Sequence, residues 1–418
     1  MPAAPSPSSS SLRCALPSRL DCQVLVVGAG PSGADLARQL AMAGVEVLMV
    51  DQLADLSHAA FSSAALPLAT MDRFGLPAQV AATRWSQWQL IGPGERRRLW
   101  NGSGPLGVVL DFAALRRWLA EECQAWGAQV ALGLRAVACR PEGRGLRTRL
   151  RDRSGALLEV VSEWVVDATG QQRALIGEAP AGRDPLVNGL GCEWLVEVPQ
   201  DLWEPWADRL AFCLGSDWVG QGYGWVFPMQ QGRLKIGVCR LADDGRPQRP
   251  LAAELRALLE RLFAPQERAA LRVLDRHGGL IRSRIHRREP HRRGRLLALG
   301  DAVSTANLLG GEGIRHALTS SRVLAPLLLR ALEGAGASDP LRSYRADLRR
   351  ALGWRWTLSG RLARRTWLGL RSEAADRRLA ALLQGLEGCT AEDLSALLFD
   401  YRFERYGLRA LPYLLGWR

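Results

Sequence analysis

The chain has 418 residues, 47% of them hydrophobic, and a formal net charge of +13. That length exceeds one typical compact domain and supports a sizeable core, while no uninterrupted apolar run approaches the roughly 18–20 residues of a membrane-spanning helix. The charge does not mark a nucleic-acid binder: Lys235 is the only lysine among 55 basic residues, a skew that points to coding bias, and no zinc spacing, helix-turn-helix or RNA-binding aromatic signature accompanies the arginines.

Residues 1–20, rich in Pro, Ala and Ser and without an apolar signal core, are expected to form a disordered tail. Then comes the most informative stretch: an apolar run from Val24, the turn Gly28-Ala29-Gly30-Pro31-Ser32-Gly33, a helical segment, and a second apolar run from Val45 to Asp51. Gly28 suits the tight turn, Gly30 a close approach of pyrophosphate, and Gly33 close helix–strand packing. The helix N-terminus offers free N–H groups to phosphate, and Asp51 stands where a carboxylate accepts from an adenosine ribose. Together they read as a dinucleotide-binding strand–turn–helix–strand unit.

A short helix is expected near 68–74 and one or two strands within 85–100. Leu115, Trp118, Leu119 and Cys123 share a helical face over 110–126. A strand over 129–138 follows, then a hairpin around Arg153-Ser154-Gly155 and a buried strand over 163–170. From 186 to 241 the pattern is β-rich, with a helix over 251–262. Residues 295–301 form another buried strand ending in Gly300-Asp301, and Gly310-Gly311-Glu312-Gly313 opens a helix through 329. The rest, 341–418, is helical and rich in Arg, Leu and Trp. The eight cysteines (Cys14, Cys22, Cys123, Cys139, Cys192, Cys213, Cys239, Cys389) contain no C-x-x-C pair, which fits reduced thiols in a cytoplasmic protein and no metal site.

A carboxylate at Asp301 suits the ribityl hydroxyls of an extended FAD, and the helix start at Gly311–Gly313 can stabilise charge on a reduced flavin. With Asp167-Ala168-Thr169-Gly170, this constellation resembles the large FAD family of aromatic hydroxylases, flavin halogenases, lycopene cyclases and geranylgeranyl reductases. The resemblance implies an α/β fold: a Rossmann-like FAD-binding domain (21–180 and 278–340, with substrate-domain strands near 85–100), an inserted antiparallel β-rich substrate domain (181–277) and a helical C-terminal region (341–418). It implies FAD contacts at Gly28, Ala29, Gly30, Pro31, Ser32, Gly33, Asp51, Gly300, Asp301, Gly310, Gly311 and Gly313.

Gly222-Tyr223-Gly224-Trp225-Val226-Phe227-Pro228 is similar to the Tyr-x-Trp-x-Phe-Pro motif of the geranylgeranyl reductases. Alternation puts Tyr223, Trp225 and Phe227 on one side of a strand, either as core or as an apolar wall for a prenyl chain. The resemblance implies reduction of carbon–carbon double bonds in an isoprenoid, with NADPH or reduced ferredoxin as donor. A lycopene-cyclase-like activity or a monooxygenase or halogenase of the same fold is the alternative. The chain departs from the reductase pattern in three places. Phe61-Ser62-Ser63-Ala64-Ala65 lacks the loop cysteine, Phe112 stands where a phosphate-binding arginine is usual, and no second glycine fingerprint for NADPH is evident. No catalytic acid is identifiable; strand 234–240 carries no carboxylate.

Among the remaining polar residues, His277, His286 and His291 lie among arginines on an expected solvated surface, and 282–295 reads as a solvated basic face in preference to a site for the phosphate of a prenyl diphosphate or NADPH. Glu312 is expected to compensate a helix dipole. The C-terminal helices, with Trp354, Trp356, Trp367 and Trp417 among arginines, either lie on an anionic bilayer as a peripheral anchor or cover the flavin domain with tryptophans inward, the reading favoured here.

Overall fold

Apolar segments too short to bury themselves singly assemble into two large sheets and a small three-stranded one of Ala65–Pro67, Gly107–Leu110 and Ala81–Trp85. In the computed structural model, which describes residues 19–404 apart from 59–61, 181, 183, 231, 243–247 and 335–338, five strands pair in parallel. Their order is Gln129–Leu132, Val47–Asp51, Arg19–Val27, Leu157–Asp167 and Leu296–Ala298. The central strand is fully buried at Val24, Leu25 and Val26, as expected when helices cover both faces. The tail expected over 1–20 lies outside the described residues up to 18, and Arg19 and Leu20 already pair with Glu159 and Val160.

Two local readings shift. The single strand expected over 129–138 is broken at Gly133, whose φ of +79° turns the chain. Arg135–Glu142 then joins Gly145–Arg151 as an antiparallel hairpin. The second half of the expected hairpin and the buried strand that follows it form one continuous strand, Leu157–Asp167.

The second sheet runs Arg272–Ser283, Val187–Glu197, Arg233–Leu241, Gly222–Pro228, Arg209–Leu214, Gln87–Ile91, Arg97–Asn101. It is antiparallel except where Arg209–Leu214 meets Gln87–Ile91. Its twelve-residue outer strand, Arg272–Ser283, spans the junction expected at 277/278. One face, through Leu234, Ile236 and Val238, packs on Leu255, Leu258 and Leu259 of helix Leu251–Leu262. The other face, carrying Tyr223, Trp225 and Phe227, looks toward the glycine turns and the C-terminal helices.

Those helices, Tyr344–Gly369, Glu373–Gly385 and Ala391–Leu398, are tied down by buried indoles. Trp356 donates to the Thr305 carbonyl and Trp367 to those of Leu308 and Leu309, each at 3.2 Å. Trp354 is exposed, and Trp417 lies outside the described residues. No helix among the described residues is long and apolar enough to cross a membrane.

Candidate functional site

Strand register decides where the glycine turns meet. Val27 is level with Val50 and with Asp167, and Asp167 with Ala298. Gly28, Asp51, Ala168 and Gly300 therefore share one crevice outside the strands' carboxyl ends, where open α/β sheets bind ligands. At Gly28 (φ +113°) a Cβ would lie 2.3 Å from the Ala168 carbonyl oxygen, and at Gly33 one would lie 2.0 Å from that of Gly28. Turn and helix thus touch backbone to backbone. Gly30 has nothing within 4 Å; its surface is open for a phosphate.

Helix Pro31–Met42 begins with Pro31 and has neither a side-chain cap nor an acid in its first turn. Its first N–H groups are left to an anion. Asp51 is held by N–H donors from Ala29 at 2.7 Å and Leu53 at 2.9 Å. Ser32 touches the second glycine turn: a Cβ at Gly300 would meet Ser32 Oγ at 2.3 Å. That contact puts Asp301 beside the first helix, and Pro31, Asp301, Gly310, Gly311 and Gly313 line one cavity of about 280 Å³. Asp301 Oδ1 accepts from Thr305 Oγ1 and the Ala306 N–H, leaving Oδ2 for a ligand. Burial raises its carboxyl above the usual range, with Thr305 and Arg173 opposing.

Sequence reasoning missed Arg116. Helical side chains lean toward the N-terminus, so a residue one turn beyond Phe112 reaches back over it; Arg116 Cζ lies 5.8 Å from the Phe112 ring centre. Phe112 in turn lines the cavity with Pro31. The guanidinium is buried, and among the described residues its only hydrogen bond is from Nη1 to the His58 carbonyl at 3.2 Å, with none from Nε. Burial lowers its pKa while Asp51 and Asp55 pull the other way. The i, i+4 spacing from Phe112 was the available signal.

The aromatic wall is a set of cross-strand pairs. Tyr223, Trp225 and Phe227 face Cys239, Gly237 and Lys235 respectively. A Cβ at Gly237 would sit 2.2 Å from the Trp225 ring, so that glycine is what lets the indole lie flat and donate to Glu193 Oε2 at 2.9 Å. Glu193, fully buried, also meets His277 Nε2 at 3.0 Å, and His277 Nδ1 meets Asp275 at 2.8 Å. A carboxylate absent from strand 234–240 is thus supplied by its neighbour, spoken for by an indole and an imidazole.

Core and cavity wall are not alternatives here. Tyr223 and Phe227 pack on Phe212 and also border a cavity of about 900 Å³, while all three aromatics border the smaller one. The larger cavity runs from Leu309–Ile314 past Trp88 and Leu214 to Trp367, Leu383 and Phe399. The C-terminal helices therefore furnish much of its lining, which the apolar spacing over 379–399 could have suggested. Where a Cβ would stand on Gly311, the Tyr223 hydroxyl is 3.5 Å away, so wall and second glycine turn adjoin.

The expected solvated face over 282–295 needs correction. Arg284, Arg287 and His291 are buried there: Arg284 reaches Glu289 and the Asp184 carbonyl, His291 Nδ1 meets the Glu289 carbonyl, and Arg287 lies over the Trp356 ring. Burial pulls His291 down to about 4, as it does His316. Glu312 precedes the helix it was expected to compensate. It is held instead by Arg315 at 2.6 Å and the Tyr401 hydroxyl at 3.0 Å. Among the described residues no His, Cys, Asp and Glu group could hold a metal ion.

Residues 21–358 match the FAD binding domain family. The chain is 27% identical over 325 residues to the digeranylgeranylglycerophospholipid reductase of Haloferax volcanii, covering 74% of this chain and 76% of that one. It is 28% identical over 332 residues to the menaquinone reductase of Mycobacterium tuberculosis, covering 73% and 76%. A geranylgeranyl bacteriochlorophyll reductase-like protein from Thermoplasma acidophilum shares the fold, with a TM-score of 0.75 and 20% identity, covering 94% of this chain and all of that one. With most of its length matched and a dinucleotide crevice at the expected strand ends, the chain belongs to the FAD binding domain family.

Proposed function

We propose that this chain is an FAD-dependent oxidoreductase that reduces carbon–carbon double bonds of an isoprenoid substrate. One observation carries the reading: an apolar cavity of about 900 Å³, walled by Tyr223 and Phe227, opens against the same glycine turn, Gly310–Gly313, that borders the nucleotide crevice. That volume is at the upper end of the roughly 300–1,000 Å³ usual for small-molecule sites. Both relatives above are named for substrates with isoprenoid chains.

The groups that would hold FAD fit it. The open face of Gly30 and the N-terminus of helix Pro31–Met42 receive the pyrophosphate, Ala29 and Ser32 flanking it. Asp51 takes the adenosine ribose and Arg116 the negative charge beside it. Gly300 brings Asp301 to the ribityl chain, and Gly310, Gly311 and Gly313 flank the ring. Bound FAD, once reduced, supplies the hydride. The chain's own part is placement: Tyr223, Trp225 and Phe227 lay an alkene beside the ring and exclude water. NADPH or reduced ferredoxin is the donor in this reading.

The test is direct. The purified protein should show a flavin spectrum and, after dithionite reduction, convert geranylgeranyl lipids to products heavier by two hydrogens per bond. A colourless protein after reconstitution with FAD, or an unchanged product mass, overturns the reading.

A further inference from the structure

In a chain that otherwise uses arginine, the one lysine is buried. Lys235 is 5% exposed and sits opposite Phe227 on the aromatic face. Its ammonium donates to three backbone carbonyls: Ser62 at 2.8 Å, Leu110 at 3.2 Å and Ser63 at 3.4 Å. An ammonium has three donors spread about one nitrogen, whereas a guanidinium presents its donors in one plane. Three carbonyls converging on a point suit lysine and not arginine, a physical reason for this exception to the composition. Burial lowers its pKa, and the charges of Glu193 and Asp111 oppose that. A buried charge is costly unless it organises polar groups around it.

What it organises is specific. Ser62 and Ser63 line both cavities, so they form part of the partition between the nucleotide crevice and the chain cavity. Leu110 is the last residue of the strand leading to helix Phe112–Ala125, which carries Arg116. Ala64, next along the partition, is buried with φ of +55°, a conformation that persists only where the surroundings over-determine it. The Leu110 N–H donates to its carbonyl at 3.0 Å.

We propose that Lys235 is a positioning residue that locks the Ser62–Ser63 partition to the base of helix Phe112–Ala125 and so fixes the distance between flavin and chain. The catalytic consequence rests on the proposed function; the lock itself does not.

Lys235→Met and Lys235→Arg in the full-length, FAD-loaded protein test it. Both should speed amide hydrogen exchange over 62–66 at least ten-fold while leaving 24–27 unchanged. Both should also lower kcat for a geranylgeranyl lipid about ten-fold at unchanged FAD content, arginine giving no rescue. Because no other lysine competes, a small amine-reactive reagent adds a readout on wild type: Lys235 should stay unlabelled in the native protein and react fully in urea. Unchanged exchange over 62–66 in Lys235→Met, or native labelling as fast as in urea, overturns the lock. If the variants fail to fold, the wild-type labelling decides. A wild type that protects Lys235 but reduces no prenyl chain supports the lock and overturns the proposed function.

Discussion

The nucleotide crevice and the chain cavity adjoin at Gly311 and Tyr223, yet they are built from opposite materials. The crevice is mostly backbone: Gly28 against the Ala168 carbonyl, Gly33 against that of Gly28, and Gly300 against the small Ser32 side chain, with carboxylates at its two ends. The cavity is side chain: Trp88, Phe212, Tyr223, Phe227, Trp367 and Phe399 come from separated segments, Trp367 in a C-terminal helix and Phe399 capping another. A crevice made by omitting side chains fails when one is added. A cavity made of side chains fails when its volume or outline changes. The two sites can therefore be broken separately.

The largest effect should come from Gly33→Val. With 2.0 Å between its Cβ and the Gly28 oxygen and 2.7 Å to the Ala168 Cβ, neither neighbour can yield without moving strand or helix. Overpacking of this kind costs about 3 kcal/mol, read as a lower Tm together with loss of flavin. Gly30→Ala sharpens the contrast: its Cβ meets no protein atom, so Tm of the flavin-free protein should hold while FAD affinity falls. An equal loss of Tm in both variants would refute the view that Gly30 faces a ligand.

Arg116→Ala comes next. Removing a buried guanidinium from a charged ligand costs about 1.5–3 kcal/mol, or roughly ten- to a hundred-fold in FAD affinity by titration of flavin fluorescence. ADP binding should weaken in parallel, whereas adenosine, lacking phosphate, should change little. Equal losses for ADP and adenosine would move Arg116 from phosphate to ribose.

This contrast also explains what the sequence disclosed. Glycines at 28, 30 and 33 and acids at 51 and 301 are local signals, each set within a few residues by the turn it serves, so the crevice could be read before its strands were paired. Tyr223, Trp225 and Phe227 were legible as one face of a strand. Whether they bounded core or cavity depends on Trp367 and Phe399, more than a hundred residues away, and no local pattern carries that. Arg116 hid behind the absence of an arginine at 112. The buried charge at Arg284 read as surface because two of its acceptors, the carbonyls of Asp184 and Ala179, are backbone and distant in sequence, and that at Arg287 because the ring it lies over, Trp356, is distant too.

Filling the cavity should have a smaller effect and leave the crevice intact. Leu382 borders it and is only partly buried, so Leu382→Trp gains volume inward at modest strain. The KM for a geranylgeranyl lipid should rise about ten-fold, with the visible spectrum and FAD affinity unchanged. A shifted flavin spectrum would mean the two sites are more closely coupled than their shared residues suggest.

The smallest effect tests how the wall is held. Burial pulls the His277 pKa down, but hydrogen bonds to Glu193 and Asp275 outweigh it, and the net shift is upward from 6.5. A histidine whose folded pKa is raised binds its proton more tightly when folded. Its contribution is complete below the unfolded pKa and is lost as pH rises through the folded one. Stability should therefore decline from about pH 6.5 upward, by less than about 1 kcal/mol because the Asp275 side of the pair is exposed. His277→Gln should remove that slope in Tm against pH. Because Glu193 also anchors the Trp225 indole, the same variant should raise KM for the prenyl substrate most at low pH, where the wild type holds its imidazolium. A pH-independent change in KM would show that Trp225 is held by its packing over Gly237 and not by charge reaching it through Glu193.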